Sequence, residues 1–413
     1  MAAGRSPTVS EDGVVRILPW QMGLTYVSGA FAFEFQQMTS LLIPLRAQSV
    51  GIPIEFIGIL VGAGAAIPAL LSVTSGAIAD RFGPKITYII STFICAVMCI
   101  GFVFTTDFWG MLVLQLILGM GRSTAWVASQ TYVSNIGSAA DRPGQMGKLS
   151  FASNAGTIAA PLLAGWVADL FGYQNAFAVV GVTCVVFLLM GFVIPDVRAK
   201  SLRKTSKRDS SGGFGTALQL MKVRGIQVAL MLTFVRLWNG NGWRAFFPLF
   251  LASQGFSATL IGSVLSSNSV VSTATALFAG PLTRKATPEV VTAVALALGA
   301  LGAAISPHVA VIPWVYAPSI LMGTGVGLSL PLLMAIVSDD APPDQRGVAL
   351  GLRMSANQVA STASPVAMGA MVTAFGTVTA FALSAVLMWA ILAAALGVHF
   401  LDRREKAARA AVT

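Results

Sequence analysis

One carboxylate and four guanidiniums stand inside stretches that are otherwise apolar. Glu34 lies in "AFAFEFQQMTS", Arg122 in "LGMGRSTAW", Arg236 and Arg244 in "FVRLWNGNGWRAFF", and Arg353 in "ALGLRMSANQ". Where water is excluded, each such charge costs from a few to more than about ten kcal/mol, so these residues are the first candidates for chemistry. An arginine keeps its charge at any physiological pH, whereas a carboxyl removed from water can change charge near neutrality. Three roles are open to Glu34. Protonation could switch the favoured conformation and so couple a proton gradient to movement; an ion pair with an arginine could lock helices together; or the carboxylate could touch a solute directly. Four deep arginines against one deep acid leave an excess of about three positive charges, which favours a solute with an anionic group held by guanidinium.

The helical period groups neighbours with these charges. Glu34 and Gln37 share a face; Arg236, Asn239, Gly240 and Arg244 occupy one broad side; Gln115, Gly119, Arg122, Trp126 and Ser129 follow the same period. At a rise of about 1.5 Å per residue, Arg122 and Arg236 fall near the midplane, Glu34 and Arg244 roughly 6 to 9 Å outward, and Arg353 about 10 Å inward. Arg353 could instead cap Asp339 or Asp340. Asn154 and Asn357, each followed by a proline at Pro161 or Pro365, suit hydrogen bonding between helices or to a solute. Trp238, Trp243, Phe246 and Phe247 could stack on a solute or pack against neighbours, and "SSNS" at Ser266 to Ser269 is a polar patch with the same two readings.

The elements that carry these residues follow from composition. The 413-residue chain is 55% hydrophobic and 10% charged, with mean hydropathy +0.78, against about 25% charged in soluble domains. It reads as an all-α integral membrane protein. Twelve helical spans are expected near residues 18–42, 55–79, 86–105, 109–135, 147–169, 174–195, 226–251, 257–283, 289–306, 310–338, 347–373 and 377–400, because lipid satisfies no free backbone group. The opening "MAAGRSPTVSEDGVVR" has no pattern of a cleaved signal. Cys95, Cys99 and Cys184 all fall inside spans and read as small buried thiols.

With both termini in the cytoplasm, Arg46 alone of the basic residues falls in an external loop, four lie deep in spans, and the rest are cytoplasmic or at that edge. The net charge of +10 therefore needs no nucleic acid. Its largest cluster, "RAKSLRKTSKRDSSGGFG", reads as a flexible tether beside lipid headgroups. The tether divides the chain into a six-helix bundle at 1–195, a basic linker at 196–225, and a second bundle with a short cytoplasmic tail at 226–413.

The halves repeat. At an offset of 204 Pro44, Gly51, Gly58 and Gly76 match Pro248, Gly255, Gly262 and Gly280; at 203 Asp141, Gly144 and Asn154 match Asp344, Gly347 and Asn357; Pro161 and Gly165 match Pro365 and Gly369 at 204. An even number of spans makes the repeats parallel, related by an axis along the membrane normal. Glu34 has Trp238 as its repeat-mate, so its chemistry is not duplicated.

"GAIADRFGPK" completes the pattern. With its Gly76, Asp80, Arg81, Gly83 and Lys85, the chain resembles the major facilitator superfamily over essentially its whole length; Pro84 stands where the family usually has a further basic residue. The resemblance implies two pseudo-symmetric six-helix bundles, a cavity lined by spans 1, 4, 7 and 10, and a latch formed by those five loop residues. It implies a secondary transporter of a small organic solute, working by alternating access and coupled to protons. In that reading Glu34 carries the proton, and Gln37, Arg122, Trp126, Arg236, Asn239, Arg244, Asn154, Asn357 and Arg353 line the solute path. "NAGTIAAPLLAG" also resembles the Gly-Pro signature of antiporters, which points to export; Ala160 stands in place of the glycine before Pro161 and weakens that inference. The alternatives are an organic-anion uptake symporter or facilitator, and a receptor or scaffold that transports nothing. No phosphate-binding glycine loop is present, and His308 and His399 lie far apart in sequence with no triad or ligand spacing around them. The expected protein is thus a monomer in the bilayer, with protons and a solute as partners, no cofactor or metal, and no enzymatic chemistry.

Overall fold

A backbone without water must close its hydrogen bonds internally, and helices do so within one segment. The computed structural model describes residues 18–136, 141–196, 218–309, 311–342 and 345–410, together with an antiparallel pair, Thr8–Val9 and Val15–Arg16. The side chains of 70–81 and of a few other helical residues lie outside the description. Helices α1 (Pro19–Ser49), α2 (Ile54–Phe82), α3 (Pro84–Phe104), α4 (Phe108–Ser134) and α5 (Arg142–Val193) form the first half. Then follow α6 (Arg224–Ser253), α7 (Ala258–Ala276), the short α8 (Ala279–Thr283), α9 (Pro288–Ile305), α10 (Ala317–Asp340) and α11 (Arg346–Ala410).

Most of the expected spans lie on one of these helices, but the eighth, 257–283, runs across α7 and α8, and the tenth, 310–338, begins before α10. The fifth and sixth share α5, and the last two share α11. In both the chain breaks at a glycine, Gly172 and Gly376, each with φ of 79°, a left-handed conformation that residues with a Cβ avoid. The two breaks are themselves repeat-mates, as are the left-handed Gly51 and Gly255 that end α1 and α6. Local sequence starts several helices: prolines occupy the first turn of α1, α3 and α9, where a missing N–H is harmless. Asp107 caps α4 by accepting from the Gly110 N–H at 2.7 Å.

One expectation needs correction. Arg46 is not in an external loop: α1 continues through Pro44 to Ser49, and Arg46 is buried in its last turn, where a cation suits the helix dipole.

The chain groups into two compact units that do not coincide with the sequence halves. Unit 1 holds residues 1–52, 63–207 and 257–266; unit 2 holds 53–62, 208–256 and 267–413. Each unit has taken ten residues from the opposite half, and glycines make the exchange possible. In unit 1, a Cβ on Gly165 would collide with the Ala258 carbonyl, and one on Gly262 with the Pro161 carbonyl. In unit 2, Gly58 meets the Pro365 carbonyl and Gly62 the Thr362 carbonyl in the same way. The exchanged ends are also tied by polar groups. Asp169 accepts from the N–H groups of Ala258 and Thr259 at 2.8 and 2.7 Å, capping α7. In unit 2 the Thr373 hydroxyl donates to the Glu55 carboxylate at 3.2 Å, in the first turn of α2.

Candidate functional site

The expected residues fall into two groups, one per unit. In unit 1, Glu34 projects from α1 and is half-buried; a Cβ on Gly156 of α5 would come within 3.1 Å of its own Cβ. Gln37 is buried one turn away on the same helix. Glu34 makes no ion pair among the described residues, where the ion pairs found are Arg224 with Glu405 and His399 with Glu289. Arg122, half-buried on α4, instead donates from Nη2 to the Gly64 carbonyl of α2 at 3.3 Å. That carbonyl is within reach because α2 and α4 approach closely through Gly64 and Gly119. Trp126 packs edge-on against Phe33, ring centroids 4.5 Å apart. Asn154 lies exposed on α5.

In unit 2, α6 fans its polar side chains to four neighbours, Asn241 donating to the Ser361 hydroxyl of α11 at 3.0 Å. Arg236 donates from Nε to the Ser329 hydroxyl of α10 at 3.1 Å. Arg244 donates from Nη2 to Asn268 Oδ1 of α7 at 3.1 Å, and Asn268 in turn donates to the Ser319 carbonyl. Asn239 is buried with its Nδ2 against Gly299 of α9, and its Oδ1 has no partner. On α11, Arg353 is buried and pairs with neither Asp339 nor Asp340, and Asn357 leaves a buried Oδ1 without a donor. Arg236 and Arg244 thus meet a hydroxyl and an amide oxygen, while Arg353 leaves Nε and Nη1 without a partner among the described residues.

The aromatic residues of α6 resolve towards packing. Trp238 donates from Nε1 to Ser384 at 3.0 Å and Trp243 to Ser306 at 2.8 Å, and Phe246 and Phe247 are buried. Cys95, Cys99 and Cys184 are all free and buried. Of the loop residues, Gly83 takes a φ of 89° at the start of α3, and the Lys85 ammonium donates to the Phe192 carbonyl at 3.0 Å, near the C-terminus of α5. Gly76, Asp80 and Arg81 have side chains outside the description. Sequence reasoning missed Gly64, Ser329 and Asn268 as arginine partners; a lone serine or glycine in an apolar run carries no local signal of the cation that reaches it. It also missed a cavity of about 280 Å³ in unit 2, lined among others by Arg224, Glu289, Asp340, His399 and Asp402.

The sequence profile described as the Major Facilitator Superfamily matches residues 25–365 and 232–412. The chain belongs to that superfamily. Among curated superfamily relatives, a multi-drug resistance efflux pump PmrA homolog of Lactococcus lactis is 28% identical over 173 residues, 39% of this chain and 41% of the pump. The class B tetracycline resistance protein of Escherichia coli is 22% identical over 315 residues, covering 75% of this chain and 77% of that protein. The chain spans about two fifths of the length of the curated PmrA pumps it matches, 41% and 36%. Solved structures agree on the fold. A bacterial homolog of the human lysosomal transporter Spinster superposes with TM-score 0.76 at 14% identity, covering 93% of this chain and 96% of that one. The nucleoside transporter NupG gives 0.76 at 13%, covering 92% and 99%. The chain is therefore a multi-pass integral membrane protein of the superfamily.

Proposed function

We propose that this superfamily member is a proton-coupled secondary transporter that exports a small organic solute, a drug or metabolite, by alternating access. Both termini are cytoplasmic in this reading, the protein acts as a monomer, and the loop residues Gly76, Asp80, Arg81, Gly83 and Lys85 latch one conformation. The observation that carries the reading is the isolation of Glu34: a half-buried carboxyl deep in α1 with no ion pair among the described residues. An acid locked to an arginine would stay ionised, whereas an unpaired one is able to load and release a proton. The multi-drug resistance efflux pumps among its relatives support the direction.

The test needs a transported probe, chosen by thermal stabilisation with a panel of metabolites and drugs at two pH values. In proteoliposomes Glu34→Gln should abolish movement driven by a pH gradient while leaving gradient-free exchange of the probe intact. Driven transport that survives the substitution sinks proton coupling at Glu34.

A second reading is uptake of an organic anion. It is favoured by Arg236 and Arg353, deep arginines of unit 2 that meet no carboxylate among the described residues. Binding without flux in the same vesicles would instead favour a receptor or scaffold.

A further inference from the structure

The cavity of about 280 Å³ in unit 2 is lined by none of the residues assigned above to the solute path. It is built at helix ends. Arg224 and Gly225 open α6, Glu289 stands in the first turn of α9, Asp340 closes α10, and His399, Asp402 and Arg403 lie on α11 beside the end of the last expected span. Most of these charged groups are already spent. Arg224 pairs with Glu405 at 2.8 Å. Asp340 stands against Gly225, where a carboxylate suits the N-terminus of α6, and Asp402 is likewise engaged. His399 Nε2 lies 3.3 Å from the Thr287 hydroxyl. Two groups are left. The Glu289 side chain is only 16% exposed, yet its one ion partner among the described residues is His399 Nδ1 at 3.9 Å, beyond hydrogen-bond reach. Arg403 makes no ion pair among the described residues.

A mostly buried carboxylate without a donor calls for a cation, and a guanidinium on the same wall calls for an anion. A bare cation would meet Arg403, and a bare anion would meet Glu289, Asp340 and Asp402; a molecule carrying both charges meets neither penalty. We propose that this cavity binds a small zwitterion, its primary ammonium on Glu289 and its anionic group on Arg403. A primary ammonium offers three N–H donors, which a trimethylated one lacks. The walls do not provide for a metal ion, since no three His, Cys, Asp or Glu side chains converge among the described residues. The volume falls just under the range of about 300–1,000 Å³ typical of small-molecule pockets, so the ligand is small. At a membrane surface this chemistry has two sources, a free zwitterion and the ethanolamine headgroup of a lipid. Bound there, either one ties the start of α9 to α11. The site stands independently of the transporter reading above.

The experiment uses full-length protein in phosphatidylcholine nanodiscs, with thermal stabilisation as the readout. Phosphoethanolamine and β-alanine are compared with their trimethylated counterparts, phosphocholine and β-alanine betaine, and with the single-charge fragments ethylamine and acetate. The two primary amines should raise Tm in a saturable manner and the other four should not. Glu289→Gln should weaken that response about ten-fold or more, the loss expected for a hydrogen bond to a charged group. Arg403→Gln, at an exposed side chain whose loss the fold tolerates, should weaken it as well. Glu55→Gln, at the contact with Thr373, should leave it unchanged. The source is read by repeating the series in phosphatidylethanolamine nanodiscs. A headgroup occupant raises the ligand-free Tm by an increment that Arg403→Gln removes, and added zwitterions then do nothing; a free occupant leaves their response in place.

Equal responses to primary and trimethylated compounds, equal responses to the single-charge fragments, or full affinity in both Glu289→Gln and Arg403→Gln would each overturn the proposal. So would silence from every soluble probe together with a difference between the two lipids that neither substitution alters, the mark of a cavity that holds only water. Magnesium ion alone, if it raised Tm as far and lost that effect in Glu289→Gln, would make this a cation site and overturn the zwitterion.

Discussion

Glu34 and Trp238 occupy equivalent places in the two halves and do opposite work. The carboxyl of Glu34 has no ion partner among the described residues, while Trp238 is pinned at both ends, its indole N–H on Ser384 and its carbonyl under Ser364. Trp238→Phe keeps most of the ring and deletes the donor, so it should cost about 1 kcal/mol, the worth of one buried hydrogen bond. A lowered unfolding midpoint with transport otherwise intact is the expected result. Loss of transport at full stability would instead give Trp238 a solute-facing role. At this scale the sequence exposed the charged residues well, because a charge in an apolar run is conspicuous by itself. It could not expose their partners. Helical period says that Arg236 and Arg244 share a side of α6, but Ser329 and Asn268 lie on other helices and reach them only through tertiary packing.

Between helices, the closest approaches are made by glycine against a carbonyl, and they come in repeat-related pairs: Gly58 with Pro365 and Gly262 with Pro161. Gly262→Leu must drive α7 away from α5, and Gly58→Leu must do the same to α2 and α11. Overpacking of this kind should cost about 1–3 kcal/mol. Gly240→Ala is the control. Nothing lies within 4 Å of a Cβ there, and it should be neutral or gain up to about 1 kcal/mol from helix propensity. Unfolding midpoints of the three variants decide the matter, and equal stability of all three would discredit the close-contact account. The offset of 204 was legible in the sequence, down to Gly58, Gly262, Pro161 and Pro365. What those residues touch was not, since matching positions say that two halves are alike without saying which surfaces meet. Arg46 erred for a related reason: hydropathy ended the first span early, and the last turns of α1 are held by packing that a hydropathy window does not see.

At the scale of the molecule, the helical architecture followed from composition, and superfamily membership from the resemblance carried by the repeat and the loop motif. The units of packing did not, because the sequence divides at the tether while the structure moves residues 53–62 and 257–266 to the opposite side of that division. This exchange has a consequence for how the protein is made. A ribosome releases the chain in order, so most of unit 1 is in the membrane before residues 257–266 exist, and Asp169 waits for the N–H groups of Ala258 and Thr259. Unit 1 is therefore finished only after the second half has begun to emerge. Nascent chains arrested with 207 residues outside the translocon should be cut by protease near Asp169, and chains arrested with 270 outside should resist. Equal resistance at both lengths would show that unit 1 closes without its late-arriving piece. For a membrane protein this is a built-in delay: the first bundle stays open, and in need of shelter, until the second has begun.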